Sequence, residues 1–396
     1  MKQKIIQNMS QRSIGRGLKL HLMFFFGAGV SVPSKLPTAL EATTKIRTLD
    51  PLLNNQEHVR ILEVLSKLFK KNMRRQGIFR RGSGFSFSGP AFRSNEPNYE
   101  DLFSLCSEIG FWGEGRCDNI FTSSFMHSGL NRIKDELVGG SKYEKMQYLS
   151  DKCNLICDYI EETISDSLDK QYQYGFESLL ELIKYKKAKN ISIFSLNHDV
   201  LIEQFLQSEG IDYADGFGPP DGDVRWANEG TYKASRVRIF KLHGAINWFR
   251  FWKDGITKIG MADRGKIANI IDLNGRRVVP LRHQASFLTG REKAIMYHYG
   301  IYNDVFYHFA RNLKDVDHVI MSGYGWGDFT INTFFEGWLD SSKSKSLVIL
   351  HEQPDSLRDG SFTYWQSYNA WQASGQIKLI RKWLCNTSAS EILATR

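Results

Sequence analysis

Four short motifs, each at the end of an apolar run, constrain the fold of this chain more than any other feature. In each motif the run breaks into glycine and small polar residues. In chain order they are Phe26-Gly-Ala-Gly-Val-Ser31, Ser195-Leu-Asn-His-Asp199, Lys241-Leu-His-Gly244 and Gly323-Tyr-Gly-Trp-Gly-Asp328. Parallel strands end in this way where a doubly wound sheet opens its ligand crevice. The motifs therefore predict an α/β fold with a Rossmann-like, mostly parallel sheet and one shared site.

The size and composition fit a chain with a large core. It has 396 residues, of which 42% are hydrophobic and 13% aromatic, so we expect one large domain with an insertion, or two domains. The formal net charge of +9 permits attraction to nucleotides, nucleic acid or an acidic protein. Spread over this length, it is weak evidence for any of them, and we do not favour a nucleic-acid partner.

The sequence does not predict a membrane segment. Leu22-Met-Phe-Phe-Phe26 follows a basic N-terminus and superficially resembles a signal peptide. Its apolar run of about five residues is shorter than the roughly seven to fifteen of a signal core. No run approaches the roughly twenty apolar residues that span a bilayer. We therefore interpret this run as a buried first strand.

The cysteines argue against zinc and for a reducing compartment. The five cysteines include no Cys-x-x-Cys pair, so we do not expect a structural zinc site. Their odd number and irregular spacing favour a cytoplasmic protein. Cys153 and Cys157 lie four residues apart in a predicted helix, a spacing typical of small buried residues on one face.

Periodicity and turn signals divide the chain into three parts. We predict an N-terminal arm at 1–18, a nucleotide-binding domain at 19–350, and a C-terminal strand with a frayed tail at 351–396. Between about 50 and 188 no strand followed by a glycine loop occurs, which predicts a large helical insertion. The predicted strands cover about 19–26, 190–195, 236–242, 318–322, 347–350 and 377–380. The first predicted helix begins near Thr38. The other predicted helices cover about 59–69, 143–168, 176–185, 200–207 and 292–312.

Shorter signals complete this description. Asp254-Gly255 and Asn274-Gly275 predict two hairpin turns. Residues 82–96 are rich in Ser, Gly and Phe, which predicts an exposed loop or lid. The densest basic cluster is interpreted as a solvated helix end rather than a binding surface; it consists of Arg74, Arg75, Arg80 and Arg81.

The first motif suits a nucleotide phosphate but is a weak signal alone. Gly27 and Gly29 would let backbone N–H groups approach a phosphate at the start of a helix. The spacing is not the G-x-G-x-x-G of a dehydrogenase. Ser31 could bond a phosphate or simply cap the next turn.

The second and third motifs carry polar side chains just past strand ends. Asn197 can position a water or a sugar oxygen, and Asp199 can accept hydrogen bonds from ribose hydroxyls, although both could instead cap the next helix. His198, between them, is expected to point elsewhere and to be structural. His243 could act as a general base near neutral pH, but a lone histidine is more often structural.

Together, in this order, the motifs resemble those of the sirtuin-like family over about residues 20–350. Gly27-Ala-Gly-Val-Ser31 is similar to the family's first nucleotide loop, Asn197 to its Asn-x-Asp element, and His243-Gly244 to its catalytic His-Gly. The fourth motif, followed by Ile331-Asn332, resembles the bacterial defence branch rather than the protein deacetylases. The deacetylases' Asp-Phe-Arg segment is replaced by Thr38-Ala39-Leu40, and their two Cys-x-x-Cys pairs are absent. These departures weigh against a protein-substrate channel.

The resemblance implies hydrolysis of NAD to nicotinamide and ADP-ribose without a metal. Asn197 would hold the attacking water or the nicotinamide ribose, His243 would accept a proton, and Asp199 would bind a ribose hydroxyl. The other implied nucleotide-binding residues are Gly27, Ala28, Gly29 and Ser31 at the pyrophosphate, and Gly323, Tyr324 and Asp328 over the adenosine. Asp328 could equally cap the helix that begins near Phe329.

The resemblance also implies a biological setting. In the defence branch, NAD depletion acts against phage, and stand-alone subunits form rings that pair with a HerA-type hexameric ATPase. The helical insertion and the basic cluster are the candidate assembly surfaces. Two alternatives stay open: a NAD-dependent protein deacylase or ADP-ribosyltransferase, and a nucleotide sensor without turnover.

Overall fold

The computed structural model describes most of the chain in nine segments. These are residues 20–48, 59–67, 97–113, 142–169, 173–251, 255–259, 267–290, 293–359 and 362–395. The predicted N-terminal arm, the loop at 82–96 and the arginine cluster lie outside the described residues.

The strands form two sheets. In chain order they are β1 (Leu20–Phe26), β2 (Ala188–Ser195), β3 (Val224–Trp226), β4 (Val237–Lys241), β5 (Trp248–Phe251), β6 (Gly255–Ile259), β7 (His318–Ser322), β8 (Ser346–Leu350) and β9 (Ile377–Ile380). The larger sheet has six strands in the order β4-β2-β1-β7-β8-β9, and all of its neighbours are parallel. The predicted Rossmann-like fold class and all six predicted strands are confirmed.

The order of the six strands places a crevice beside β1. The chain runs outward from β1 through β2 to β4, then returns to the other side of β1 and runs outward again from β7 to β9. The order in which strands are added to the sheet therefore reverses between β1 and β7, although the two strands are parallel. In open α/β sheets a ligand binds at such a switch point, beyond the carboxyl ends of the strands.

The described helices cover the sheet and build a separate layer. In chain order they are α1 (Ala39–Thr48), α2 (59–67), α3 (Tyr99–Gly113), α4 (Lys142–Leu168), α5 (Glu177–Lys184), α6 (Leu201–Ser208), α7 (Lys293–Met296), α8 (Gly300–Asp315), α9 (Phe329–Ser341), α10 (Phe362–Ala373) and α11 (Ala389–Thr395). A capping box opens α1, because Thr38 N and Oγ1 both donate to Glu41 and Glu41 N donates back to Thr38.

Alternation along β1 builds the core on both faces of the sheet. Met23 and Phe25 pack in the cluster that includes buried residues of α8 and α9. Leu22, Phe24 and Phe26 pack in the opposite cluster, with buried residues of α5, α6 and α11. A strand buried on both faces is expected in a parallel sheet covered by two layers of helices.

The helices from α1 to α4 form a layer with its own core. Their buried residues cluster with those of the small antiparallel sheet, whose strand order is β3-β6-β5. Cys153 and Cys157 are buried in this layer, as their spacing predicts. β5 and β6 pair antiparallel on either side of the turn predicted at Asp254-Gly255, of which Asp254 lies outside the described residues. The turn at Asn274-Gly275 is closed by an antiparallel bridge between Ile271 and Arg277.

Two predictions about the second half of the chain are wrong. The helix predicted over 292–312 is two helices, α7 and α8, and α8 begins at Gly300, a residue with φ of +52°. The tail predicted to fray after about residue 385 contains α11, whose Ile392 is fully buried. The strand and tail expected at 351–396 also include α10, whose boundaries the sequence pattern does not reveal.

In the described part of the chain, no helix combines the length and apolarity needed to cross a membrane.

Candidate active site at the carboxyl edge of the sheet

The first and fourth motifs lie directly against each other at the switch point. Gly27 N donates to Ser322 O at 3.0 Å, and Gly29 N donates to Gly323 O at 2.9 Å. A Cβ on Gly27 would lie 2.6 Å from Gly323 O, and one on Gly323 would lie 2.3 Å from Val30 N. Glycine is therefore required here because two backbones touch.

This contact limits how the glycine loop could hold a phosphate, and its predicted nucleotide-binding role stays a prediction. The amides of Gly27 and Gly29 already have protein acceptors, so these two N–H groups are not available to a phosphate. Ala28, between them, is exposed at the edge of the loop. The loop borders the crevice, but its glycines serve the junction between β1 and β7.

Ser31 links the first motif to the second. Its Oγ donates to Asp199 Oδ2 at 2.8 Å and accepts from Asn197 Nδ2 at 2.9 Å. Asp199 Oδ1 also accepts from Leu201 N, the first residue of α6, at 3.1 Å, whereas the N-cap position of this helix is Val200 and has no side-chain cap. All three predicted side chains are buried, and they lie together because β1 and β2 are parallel neighbours.

Asn197 retains one unused hydrogen-bonding atom. Its Oδ1 is buried and has no protein partner. A buried amide oxygen without a partner is costly, since its desolvation is not compensated. Asn197 Oδ1 is therefore a ready acceptor for a donor from outside the protein, such as a water or a sugar hydroxyl.

Below these side chains lies a buried cation. Lys241 Nζ donates to Asp199 O and lies 4.0 Å from Glu203 Oε2. Lys241 and Glu203 are both buried. They fix the carboxyl end of β4 to the backbone of the second motif and to α6.

His243 lies at the next strand end and is held by residues from two other segments. Its Nε2 lies 2.6 Å from Tyr297 Oη and 3.1 Å from Asp328 Oδ2, and Tyr297 Oη donates to the same carboxylate oxygen at 3.1 Å. His243 O accepts from Leu288 N at 2.7 Å, which anchors the backbone. Gly244 has φ of +74°, and a Cβ there would lie 2.6 Å from Ser286 O, so glycine is required directly after the histidine.

The charges of this group follow from its burial and its neighbours. Burial lowers the pKa of His243, and the positive charge of Lys293 lowers it further, against the opposite effect of Asp328. Burial alone would raise the pKa of Asp328, but the hydrogen bond from His243 and the amide of Ile331 lower it overall. Burial and Asp328 together raise the pKa of Tyr297. The group therefore contains a neutral imidazole, an ionised carboxylate and a neutral phenol near pH 7.

These charges assign the histidine tautomer. A neutral imidazole carries one N–H, and Nε2 faces the ionised Asp328, so Nε2 holds the proton. Nδ1 is then the nitrogen that can accept a proton. The arrangement resembles other sites in which a carboxylate orients a histidine base.

His198 is closer to His243 than the sequence suggests. The two ring centroids are 6.1 Å apart, and the His198 ring also lies 4.5 Å from that of Phe287. Burial lowers the pKa of His198 well below its usual range, and His243 and Lys293 contribute to this effect. His198 is thus a neutral, buried neighbour of the predicted base.

The aromatic residues of the fourth motif are buried beside Asp328, and the predicted role of this motif over the adenosine stays a prediction. Tyr324 is buried with its ring 5.2 Å from that of Phe25, and its Oη lies between Asp328 and Asn332. Asp328 is the N-cap of α9 and accepts from Ile331 N, so the capping alternative is confirmed. Trp326, also buried, has φ of +56°, an unusual conformation for a non-glycine residue.

Tyr297 is the site residue that the sequence does not single out. It lies in an aromatic-rich segment that reads as one continuous helix, where nothing distinguishes it from its aromatic neighbours. Only the break between α7 and α8 brings it to His243. A cavity of about 860 Å³ lies elsewhere, between the loop at 216–229 and the start of α8, and none of the predicted site residues lines it.

One protein-family model matches the part of the chain that contains most of the candidate site. Residues 191–370 match the SIR2-like domain. The match covers a little under half of the chain and includes Asn197, Asp199, His243 and Asp328. A comparison with curated proteins finds no match.

The comparison with solved structures finds Sir2 homologues among the similar chains. A Sir2 homologue in complex with NAD is 11% identical, with 94% of this chain and 95% of that chain covered and a TM-score of 0.36. A Sir2 homologue mutant with 2'-O-acetyl ADP-ribose is 12% identical, with 100% and 97% covered and a TM-score of 0.38. At these TM-scores, the likenesses do not bear on the chemistry of the site. Among the described residues, no group of three or more His, Cys, Asp or Glu could hold a metal ion.

Proposed function

We propose that this protein is a NAD glycohydrolase, which converts NAD and water to nicotinamide, ADP-ribose and a proton. The observation that carries the proposal is the buried, unpartnered Oδ1 of Asn197. It lies within the SIR2-like match, at the carboxyl end of the strand beside the switch point, and is bonded through its own amide to Ser31. A carboxamide held in this way suits a water or a ribose hydroxyl.

The site residues have different roles in breaking the glycosidic bond. Water attacks the anomeric carbon of the nicotinamide ribose, and nicotinamide leaves with the electrons of the C–N bond. Asn197 Oδ1 accepts a hydrogen bond from the water or from the ribose. His243 takes the proton of the attacking water at Nδ1 and releases it to solvent, while Asp328 stabilises the resulting imidazolium.

Three of the roles implied by the motifs are adjusted in this proposal. Gly27, Gly29 and Gly323 support the site through backbone contacts. Tyr324 positions Asp328. Asp199 orients Ser31 and has remaining lone pairs with which a ribose hydroxyl could bond. NAD is the substrate, and Ser31 with the exposed Ala28 borders the crevice where it would lie.

The test is a turnover assay with matched variants. Purified protein is incubated with NAD, and nicotinamide and ADP-ribose are quantified by chromatography. Asn197→Ala and His243→Ala are expected to lower kcat/KM at least about 100-fold, as loss of a positioned acid–base group does. Asn274→Ala and His298→Ala, which change exposed residues of the same types, should leave it unchanged. Hydrolysis that survives both site variants contradicts the assignment.

The same assay separates the two other hypotheses. A protein deacylase or ADP-ribosyltransferase forms nicotinamide only when an acylated or acceptor protein is supplied. A sensor binds NAD or ADP-ribose in calorimetry but never releases nicotinamide. Either result in place of free hydrolysis would replace the proposed activity.

We also propose, from the resemblance of the four motifs alone, that the hydrolase acts in the cytoplasm against phage by depleting NAD. It would do so as a homo-oligomeric ring with a HerA-type hexameric ATPase as partner. The test is to co-express the two proteins in infected cells and follow NAD over time, with Asn197→Ala as control. If NAD falls equally with the parent protein and with Asn197→Ala, the proposed role is wrong. If the ATPase does not co-purify with this protein, the proposed partnership is wrong.

A further inference from the structure

One ion pair connects the helical layer to the segment that carries Tyr297. Lys293 Nζ lies 2.7 Å from Glu100 Oε1, and the two side chains are 13% and 34% exposed. Lys293 is the first residue of α7, and Glu100 lies in the first turn of α3. The pair therefore joins two elements that are far apart in the chain, in a partly buried setting.

The backbone around this pair is closely packed. Gly290, three residues before Lys293, has φ of +72°, and a Cβ there would lie 2.6 Å from Ser104 Oγ and 3.4 Å from Glu100 O. The loop that leads into α7 thus lies directly on α3. The contact between Lys293 and Glu100 is part of this junction rather than an isolated surface pair.

Lys293 is one helical turn from Tyr297, which contacts His243. Tyr297 N donates to Lys293 O at 3.0 Å, which places the two residues four apart on one face of α7 and its C-terminal extension. Tyr297 Oη in turn lies 2.6 Å from His243 Nε2. A continuous series of contacts therefore leads from Glu100 through Lys293 and the first turn of α7 to the imidazole.

Several charged or titratable groups lie on the elements packed around His243. They are Asp328 before α9, Tyr297 and Lys293 at α7, Glu100 on α3, and His198 after β2 with Lys241 behind it. After burial, the strongest influence that lowers the pKa of His243 is Lys293, whereas Asp328 and Glu100 raise it. Lys293 also contributes to the lowered pKa of Asp328.

We propose that Lys293 and Glu100 are positioning residues that keep His243 neutral and able to accept a proton, so that the seating of α3 is coupled to the predicted base. The pair touches neither the substrate nor the reacting atoms. It acts through charge and through the position of α7. Its effect on turnover rests on the proposed NAD hydrolysis, but its effect on the imidazole does not.

The primary test measures the imidazole directly. The His243 side chain of the full-length protein is titrated by NMR with ¹⁵N-labelled histidine, in the absence of NAD. Lys293→Met removes a positive charge, so the His243 titration should move to higher pH. Glu100→Gln removes the countercharge of Lys293, so the titration should move to lower pH. Lys293→Arg keeps the charge and should titrate as the parent protein does.

The second readout is the acid side of the pH profile of kcat/KM. Lys293→Met should lower kcat/KM there roughly three- to tenfold, as expected for one unit charge in partly buried surroundings, and Glu100→Gln should raise it. Lys382→Met breaks a comparable ion pair with Glu391 on the surface and should change neither readout. A merely structural pair would lower activity in both variants at every pH.

The outcomes separate the two proposals. If Lys293→Met and Glu100→Gln shift the His243 titration in opposite directions but no NAD is hydrolysed, the role proposed for the ion pair is supported and the NAD glycohydrolase proposal is refuted. The role proposed for Lys293 and Glu100 is wrong if the two variants shift the His243 titration in the same direction or do not shift it, or if Lys293→Arg titrates as Lys293→Met does. If NAD is still hydrolysed in that case, the NAD glycohydrolase proposal is retained.

Discussion

Gly323→Ala should be among the most destabilising single substitutions at the candidate site. Gly323 has φ of +70°, where a side chain costs roughly 1–2 kcal/mol. A Cβ would also lie 2.3 Å from Val30 N, 2.7 Å from Gly29 C and 2.8 Å from Gly27 O. All three atoms are backbone, so no rotamer change relieves the contact, and overpacking of this kind adds about 1–3 kcal/mol. The sum predicts a loss of about 2–5 kcal/mol.

Two other glycines separate these contributions. Gly275 has φ of +71°, but a Cβ there would meet nothing within 4 Å, so Gly275→Ala should cost only the backbone part. Gly325 also has open space and no positive φ, so Gly325→Ala should change the free energy of unfolding by less than about 1 kcal/mol. The three variants thus form a graded series.

Urea unfolding followed by tryptophan fluorescence measures the series, with the free energies compared at equal m-values. The expected order of destabilisation is Gly323→Ala, then Gly275→Ala, then Gly325→Ala. If Gly323→Ala costs no more than Gly275→Ala, the close backbone contact between the first and fourth motifs does not exist as described. The explanation for the glycines of the loop would then fail as well.

Two further predictions concern Asp328 and the C-terminal helix. The folded-state pKa of Asp328 is lowered, so its ionisation stabilises the fold above its unfolded pKa of about 4, and this stability is lost as the pH falls through the folded value. Asp328→Asn should therefore flatten the decline of the urea midpoint below about pH 4; parallel profiles for the two proteins would contradict this. Ile392 is fully buried, so Ile392→Ala should cost about 2–5 kcal/mol, whereas Ser390→Ala, at an exposed position of α11, should cost little. Equal unfolding midpoints for these two variants would mean that the tail frays after all.

The sheet could be predicted from sequence because buried parallel strands leave a distinct pattern. β7 and β9 have the predicted boundaries, since each is a short apolar run between polar or glycine residues. The contact of Ser31 with Asn197 and Asp199 follows from the same logic, because each residue comes just after a strand and the strands are neighbours. Local sequence and sheet topology together are sufficient for this part of the site.

The histidine group could not be predicted in the same way. Tyr297 reaches His243 only because the chain breaks before Gly300 within what reads as one helix, and helical periodicity does not reveal such a break. The glycines of the first motif pose a different difficulty. Gly27 and Gly29 are equally suited to a phosphate and to another backbone, and only the position of Gly323 decides between the two.

The hydrogen bonds of His243 also tell when, during synthesis, the site can exist. Tyr297 and Asp328 lie 54 and 85 residues beyond the histidine in the chain. A ribosome-bound chain that has exposed β1, β2 and β4 already contains Asn197 and His243, but it lacks both partners of the imidazole. The ordered histidine can therefore form only after the chain through Asp328 has been synthesised and has left the ribosome, because a shorter nascent chain lacks one or both side-chain partners of its base.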